Sequence, residues 1–253
     1  MKTRLLILLL LVCKIGYSQN QKLQDYKVDN INRVIGLFKQ KNIDKISSII
    51  AFPLNREYPI PGIKNEKEFK SRFNEVFDKI LLDKIANSKT EQWSEVGWRG
   101  IMLDNGLVWI DSYEGRITAI NNESAFEKEL RKNLIIKDKE NLHALLKTFE
   151  SPVYKIKTKQ FLIRIDKLFD GKYRYAAWKI NEKEVSKPDI ILYNGELEIH
   201  GSGGNHAITF SNGHYQYEIY RNIIGEENPP DIRLTVDKDG QTILTQDGTL
   251  VGK

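Results

Sequence analysis

Asp111 is the carboxylate whose surroundings in the sequence point most directly to chemistry. An Asn105-Gly106 hairpin turn pairs Trp98 with Tyr113, Gly100 with Asp111 and Met102 with Trp109 on one face. The other face then carries Ile101, Leu103, Val108 and Ile110 and packs on helices. A sheet with a second, aromatic face must cover it with another element, a partner or a ligand. Gly100 leaves room beside Asp111, and desolvation there raises a carboxyl pKa, so Asp111 is the candidate base or ligand anchor. Trp98, Gly100, Trp109, Asp111 and Tyr113 are therefore the candidate ligand-binding set, with Asp111 the one candidate catalytic residue. The competing expectation is that the second half of the chain, or the helical stretch 124–149, covers this face and Asp111 makes a structural hydrogen bond.

His200, His206 and His214 fall close together and suggest a metal. Hairpin register argues against it. Pairing sets His200 beside His206 and about 13 Å from His214 at roughly 3.3 Å per residue, whereas zinc needs ligand atoms about 2 Å from one point. His200 opposite Asp189 reads as a cross-strand charge pair. The run Gly201-Ser202-Gly203-Gly204-Asn205 lacks the Gly-Lys-Ser/Thr ending of a phosphate loop and the first glycine of a nucleophile elbow, and reads as a hairpin loop. No metal and no cofactor are expected.

Two kinds of periodicity position these residues. Ile31, Val34, Ile35 and Phe38 recur at helical spacing, and Ile43, Ile46, Ile49 and Ile50 continue the pattern after a break near Asn42. A long helix is predicted from an Asn65 cap, with Phe69, Phe73, Val76, Phe77, Ile80 and Leu81 on one face. Three strands follow at Trp93 to Leu103, Leu107 to Tyr113 and Arg116 to Ile120. Residues 124–149 are helical again, capped by Ser124 and Glu127, with Phe126 and Leu130 on one face and Leu142, Leu145, Leu146 and Phe149 on another, until Pro152 ends the segment.

From Val153 the period changes to two. Asp170-Gly171, Asn194-Gly195, Asn212-Gly213 and Asp239-Gly240 read as four hairpin turns joining eight strands. The registers they imply pair Leu192 with Leu197, Ile190 with Ile199, Phe210 with Tyr215, Ile208 with Tyr217, Ile165 with Ala176 and Ile163 with Trp178. The fold class predicted is an α+β N-terminal domain, helices packed on a curved antiparallel sheet, followed by an all-β antiparallel meander forming a small barrel or sandwich.

In the N-terminal half the order of elements carries a likeness. Helices, an extended Phe52-Pro53-Leu54 segment, an amphipathic helix, then strands containing Trp98-Arg99-Gly100 and Asn105 to Trp109 resemble the cone-shaped α+β fold of the nuclear transport factor and ketosteroid isomerase superfamily. The resemblance covers residues 25–135. It implies a pocket between sheet and helices, where that superfamily's enzymes use Asp with Tyr or His; Asp111 and Tyr113 are the matching residues.

The chain's first residues set its destination. Lys2 and Arg4, the apolar run Leu5 to Val12, and small residues before Gln19 are ordered as a secretory signal, so residues 1–18 are predicted to be removed and the rest to be periplasmic or secreted. Cys13, the one cysteine, offers lipid attachment as the less favoured alternative because Val12 precedes it. Removal of Lys2, Arg4 and Lys14 lowers the formal charge from +5 to +2, and no block of like charges suggests nucleic acid. No later stretch is long enough to span a membrane. The expected division is signal peptide 1–18, α+β domain 19–150 and β domain 151–253. The expected role is an exported, soluble, non-catalytic binding or accessory protein for an unknown small molecule or protein. The alternatives are a small-molecule isomerase, dehydratase or hydrolase built around Asp111, and an interaction module whose interface is the Trp98, Trp109 and Tyr113 face.

Overall fold

The computed structural model describes residues 23–225 and 229–251. The predicted leader, its cleavage point and Cys13 lie outside them. An α+β N-terminal half leads into a closed eight-stranded antiparallel barrel.

Helix α1 (Asp25–Gln40) buries Ile31, Val34, Ile35 and Phe38, as its spacing requires, and stops where Lys41 turns left-handed at φ 52°. α2 (Ile43–Ser47) starts from the Asn42 cap, whose side chain accepts from the Lys45 N–H at 3.0 Å. The single helix expected after Asn65 is three pieces: α3 (Glu66–Ser71), α4 (Phe73–Val76) and α5 (Lys79–Ala86). The second break, between α4 and α5, has a local cause. Asp78 accepts from Leu81 N–H at 2.8 Å, so its side chain competes with the helical ladder and starts a new helix. That restart rotates the faces: Leu81 and Ile85 are buried, whereas Ile80, expected in the core, is 70% exposed.

The first sheet runs β1 (Trp93–Glu95), β2 (Ile101–Leu103), β3 (Val108–Ile110), β4 (Ile117–Ile120), in that spatial order. The first expected strand is thus two strands, separated by a 3₁₀ turn over Gly97–Arg99 with Gly97 at φ 52° and Gly100 at φ 98°. Met102 pairs with Trp109 as expected, and Ile101, Leu103, Val108 and Ile110 face the helices, but the ladder ends at Ile101 and Ile110. The pairs Gly100 with Asp111 and Trp98 with Tyr113 do not form.

α6 (Ala125–Glu140) begins at the expected Ser124–Glu127 capping box, and Glu127 is fully buried against Arg56. It ends nine residues earlier than expected, and Phe126 is exposed. Leu142, Leu146 and Phe149 instead lie on a segment with a single 3₁₀ turn (Ala144–Leu146) that packs on Leu162, Ala176 and Trp178, on the outside of the barrel. Pro152 lies within the first barrel strand.

The barrel strands are β5 (Ser151–Thr158), β6 (Phe161–Lys167), β7 (Tyr173–Lys179), β8 (Ile190–His200), β9 (Asn205–Asn212), β10 (Tyr215–Arg221), β11 (Ile232–Lys238) and β12 (Gln241–Leu250). Each pairs with the next, and β12 closes on β5 through Gly248 and Thr158. Ile156, Ile163, Ile165, Ile208, Phe210 and Ile219 are among the side chains filling the interior.

Eight strands were expected, but the partition differs. Asp239-Gly240 forms the two-residue turn predicted, with Lys238 opposite Gln241. Around Asn212 the turn is Gly213-His214, so Phe210 pairs with Tyr217 and Ile208 with Ile219; a shift of two keeps every side chain on its face. Asp170-Gly171 lies in a longer loop, and Ile165 pairs with Tyr175 and Ile163 with Ala177, one residue from the expected register. Asn194-Gly195 is no turn at all. β8 runs straight through it, pairing with β7 up to Gly195 and with β9 from Glu196 onward. Asn194 adopts φ 60°, and a Cβ on Gly195 would stand 2.2 Å from Phe210 Cε1, so the pair is a bulge that transfers the strand between partners. The expected Leu192–Leu197 and Ile190–Ile199 pairs are therefore absent.

One cluster joins the two halves. Arg164 and Asp166 on β6 and Arg174 on β7 point out of the barrel yet are buried under α6 and residues 142–149. Asp166 Oδ2 accepts from Arg174 Nη2 at 2.6 Å, and its Oδ1 lies 2.7 Å from Arg164 Nη2 without hydrogen-bond geometry. Arg164 reaches Asp138 of α6 at 2.6 Å, and Arg174 donates to the carbonyls of Leu146 at 2.7 Å and Thr148 at 3.1 Å. The Phe149 ring lies 4.9 Å from the Arg164 guanidinium carbon and 5.9 Å from that of Arg174.

Candidate functional site

The five residues singled out in the sequence line one cleft of about 920 Å³. One wall is the outward face of the four-stranded sheet. The other is the barrel rim, namely Gly203 and Gly204 of the β8–β9 loop and Ile223 and Ile224 after β10.

Trp109 sits half-buried on β3, opposite Met102 and Ala119, with the Arg99 guanidinium 5.6 Å from its ring centre. Trp98 is on the 3₁₀ turn and is 67% exposed; Tyr113 is 83% exposed. A Cβ on Gly203 would meet Ile224 Cδ1 at 1.9 Å and Trp98 at 3.7 Å, so the absence of a side chain there lets the loop close against both. Asn205 fixes that loop by accepting from the Ile223 N–H at 2.8 Å and donating to the Ile224 carbonyl at 2.7 Å.

Asp111 does not fit the role of base. Its Oδ1 accepts from the N–H groups of Tyr113 at 2.9 Å and Glu114 at 2.6 Å, and its Oδ2 from that of Arg116 at 2.7 Å. Partial burial works to raise its pKa, but these backbone donors outweigh it and hold the carboxyl below its ordinary range, the reverse of the raised value expected. Gly100 likewise serves the backbone: at φ 98° a Cβ would stand 2.3 Å from the Ile110 carbonyl oxygen. The space a side chain would take at Gly100 is filled by the Ile110 carbonyl, so the missing Cβ does not open room beside Asp111. Both residues shape the tip of the sheet and leave the aromatic side chains to define the cleft.

The histidines are dispersed. His200 pairs with Asn205 and stacks edge-on with Tyr220 at 5.3 Å, so neither its expected neighbour His206 nor its expected partner Asp189 stands opposite it. His214 lies 2.6 Å from Asp239 on the surface. His206 Nδ1 lies 2.7 Å from the Gly204 carbonyl, which it reaches as a donor, and Nε2 shares a hydrogen bond of 2.5 Å with the Tyr154 hydroxyl. Among the described residues no group of three or more His, Cys, Asp or Glu is arranged to hold a metal.

No family model matches this chain. Nor does any curated protein or solved structure. The likeness to the cone-fold superfamily rests on the order of elements alone, and the cleft must be read from its own chemistry.

The barrel's contribution to the cleft was not visible in the sequence, because hairpin patterns state which strands pair but not which loop meets another sheet. The glycine-rich loop was visible as a loop; its place across the cleft from Trp98 was not.

Asp111 provides a stability test. A carboxyl whose folded pKa is depressed contributes stability above its unfolded pKa, near 3.9, and loses it as pH falls through the folded value. Asp111→Ala should cost about 1–3 kcal/mol in urea unfolding at pH 7, and the difference from the parent should shrink below about pH 4. A difference that stays constant from pH 7 to pH 3 would show that the carboxylate's charge is not what holds the turn.

Proposed function

We propose that this chain is an exported, non-catalytic binding protein and that its ligand lies in the aromatic cleft between the four-stranded sheet and the barrel rim. The observation that carries this reading is the shared construction of the cleft: Trp98 and Trp109 from one half face Gly203, Ile223 and Ile224 from the other. Large apolar surface left in a concavity gains about 25 cal/mol for each Å² a ligand covers, and rigid indole rings lose little freedom on doing so. Binding is favoured over the isomerase-like alternative because Asp111 has both oxygens occupied by backbone donors. A small apolar or aromatic molecule suits the lining. The exposure of Trp98 and Tyr113 supports a second reading in which a protein partner covers the same face.

The neutral fluorophore N-phenyl-1-naphthylamine tests the cleft directly. Saturable binding is expected, weakened at least about fivefold by Trp98→Ala and by Trp109→Ala, the loss anticipated when an aromatic contact of about 1 kcal/mol or more is removed. Absence of binding, or equal affinity in both folded variants, would count against the site.

Export rests on the arrangement of residues 1–18. Intact-mass measurement of protein recovered from cells should find a chain beginning at Gln19. A chain retaining Met1 would contradict export by cleavage, and a diacylglycerol-modified Cys13 would make the protein membrane-anchored.

A further inference from the structure

A second cleft, of about 470 Å³, opens at the mouth of the barrel beneath the loop that carries Tyr58 and Ile60. Its walls are Tyr58 and Ile60 from the N-terminal half and Pro152, Tyr154, Arg221 and Leu250 from the barrel. The volume lies within the range of small-molecule sites, roughly 300–1,000 Å³.

Four cations and one largely exposed carboxylate, Glu57, line it, and three of the cations have a carboxylate of their own. Arg56 pairs with buried Glu127, Lys155 with Glu184, and Lys167 with Glu150 at 2.9 Å. Arg221 differs. Its side chain is only 9% exposed, and every hydrogen bond it makes among the described residues leaves from Nη1, to the carbonyls of Asn222 and Asp231 and to Asp231 Oδ1. The contact to that carboxylate is 3.4 Å, well beyond the roughly 2.7–2.9 Å of a full charge-assisted bond. Nε and Nη2 have no acceptor among the described residues. Unlike Nε of Arg164 and of Arg174, they are not sealed from solvent.

A guanidinium stays charged at any pH a protein survives, and a desolvated charge calls for a counter-ion. The Nε–Nη2 edge is the fork that matches a carboxylate in two parallel hydrogen bonds. One incompletely matched cation favours a single negative charge over a phosphate dianion, and the surrounding Tyr154, Pro152, Ile60 and Leu250 favour an apolar body.

We propose that this mouth cleft binds a small organic monocarboxylate, with its anionic end on the Nε–Nη2 edge of Arg221 and its apolar body between Tyr154, Pro152 and Leu250. The site shares one lining residue, Ile223, with the aromatic cleft, but its occupancy does not depend on Trp98 or Trp109.

Saturation-transfer NMR on the full chain with benzoate and hexanoate, each beside its neutral amide, tests this. The carboxylates should bind at least about tenfold more tightly than benzamide and hexanamide, a gap of about 1.4 kcal/mol. Arg221→Met should erase that preference, Arg221→Lys should keep part of it, and Trp98→Ala should leave it intact. Carboxylates binding no better than amides to the parent chain would overturn the proposal whether or not the variants fold. So would an undiminished preference in folded Arg221→Met. Displacement of benzoate by millimolar inorganic phosphate, which has no apolar body, would overturn the assignment to an organic carboxylate.

Discussion

Asp166 lies fully buried between two arginines, and the relation between the halves of this molecule depends on that arrangement. Burying a carboxylate with two guanidinium groups is not in itself stabilising, because desolvating each ion costs several kcal/mol and the attraction between them does little more than offset it. Its effect is on where things go. Arg164 extends from the barrel to Asp138 on α6, Arg174 holds the carbonyls of Leu146 and Thr148, and Phe149 lies against both cations. A seam of apolar side chains alone would permit small slides; hydrogen bonds to fixed carbonyls do not.

Both clefts inherit their shape from this seam. The aromatic cleft needs the β8–β9 loop close to Trp98, and the mouth cleft needs the loop bearing Tyr58 over the barrel opening. Tyr58 itself senses the seam: burial, with the nearby Asp138 carboxylate, pushes its phenol up to about 12 despite the opposing effect of Arg164. A ligand in either cleft would lie between walls that come from both halves. Its affinity is then linked to the seam, since a misplaced wall removes contacts without altering any residue that makes them.

The sequence revealed a good deal of this architecture and concealed its joints. Period-two alternation after Val153 announced strands, and Ile163 and Ile165 do face the interior; the alternate positions Arg164 and Asp166 drew no reading from the sequence and are buried. Alternation reports that two faces differ, not that one of them is wet. Asn194-Gly195 carried the strongest hairpin chemistry available and became a bulge, because the left-handed angle that suits a turn also suits a strand changing partners around a closed barrel. At Asp111 the sequence located the cleft, since Trp98, Gly100, Trp109, Asp111 and Tyr113 all line it. The carboxylate's role escaped notice because it depends on the turn at residues 113–116 directing three N–H groups inward. Arg221 showed no signal, as its significance lies in what fails to reach it.

The central claim is that the Arg164–Asp166–Arg174 cluster fastens residues 141–149 to the barrel. Amide hydrogen exchange in the parent and in Asp166→Ala addresses it most directly, because His143 N–H bonds to the Glu184 carbonyl and Glu150 N–H to that of Lys167 across the seam. Arg164 keeps Asp138, but Arg174 loses its one carboxylate partner among the described residues; breaking such a buried pair costs about 3–5 kcal/mol, so exchange in 141–150 should accelerate at least about a hundredfold in the variant while β9 to β11 change far less. Fast exchange of that segment in the parent, or equal protection in both proteins, would contradict the account.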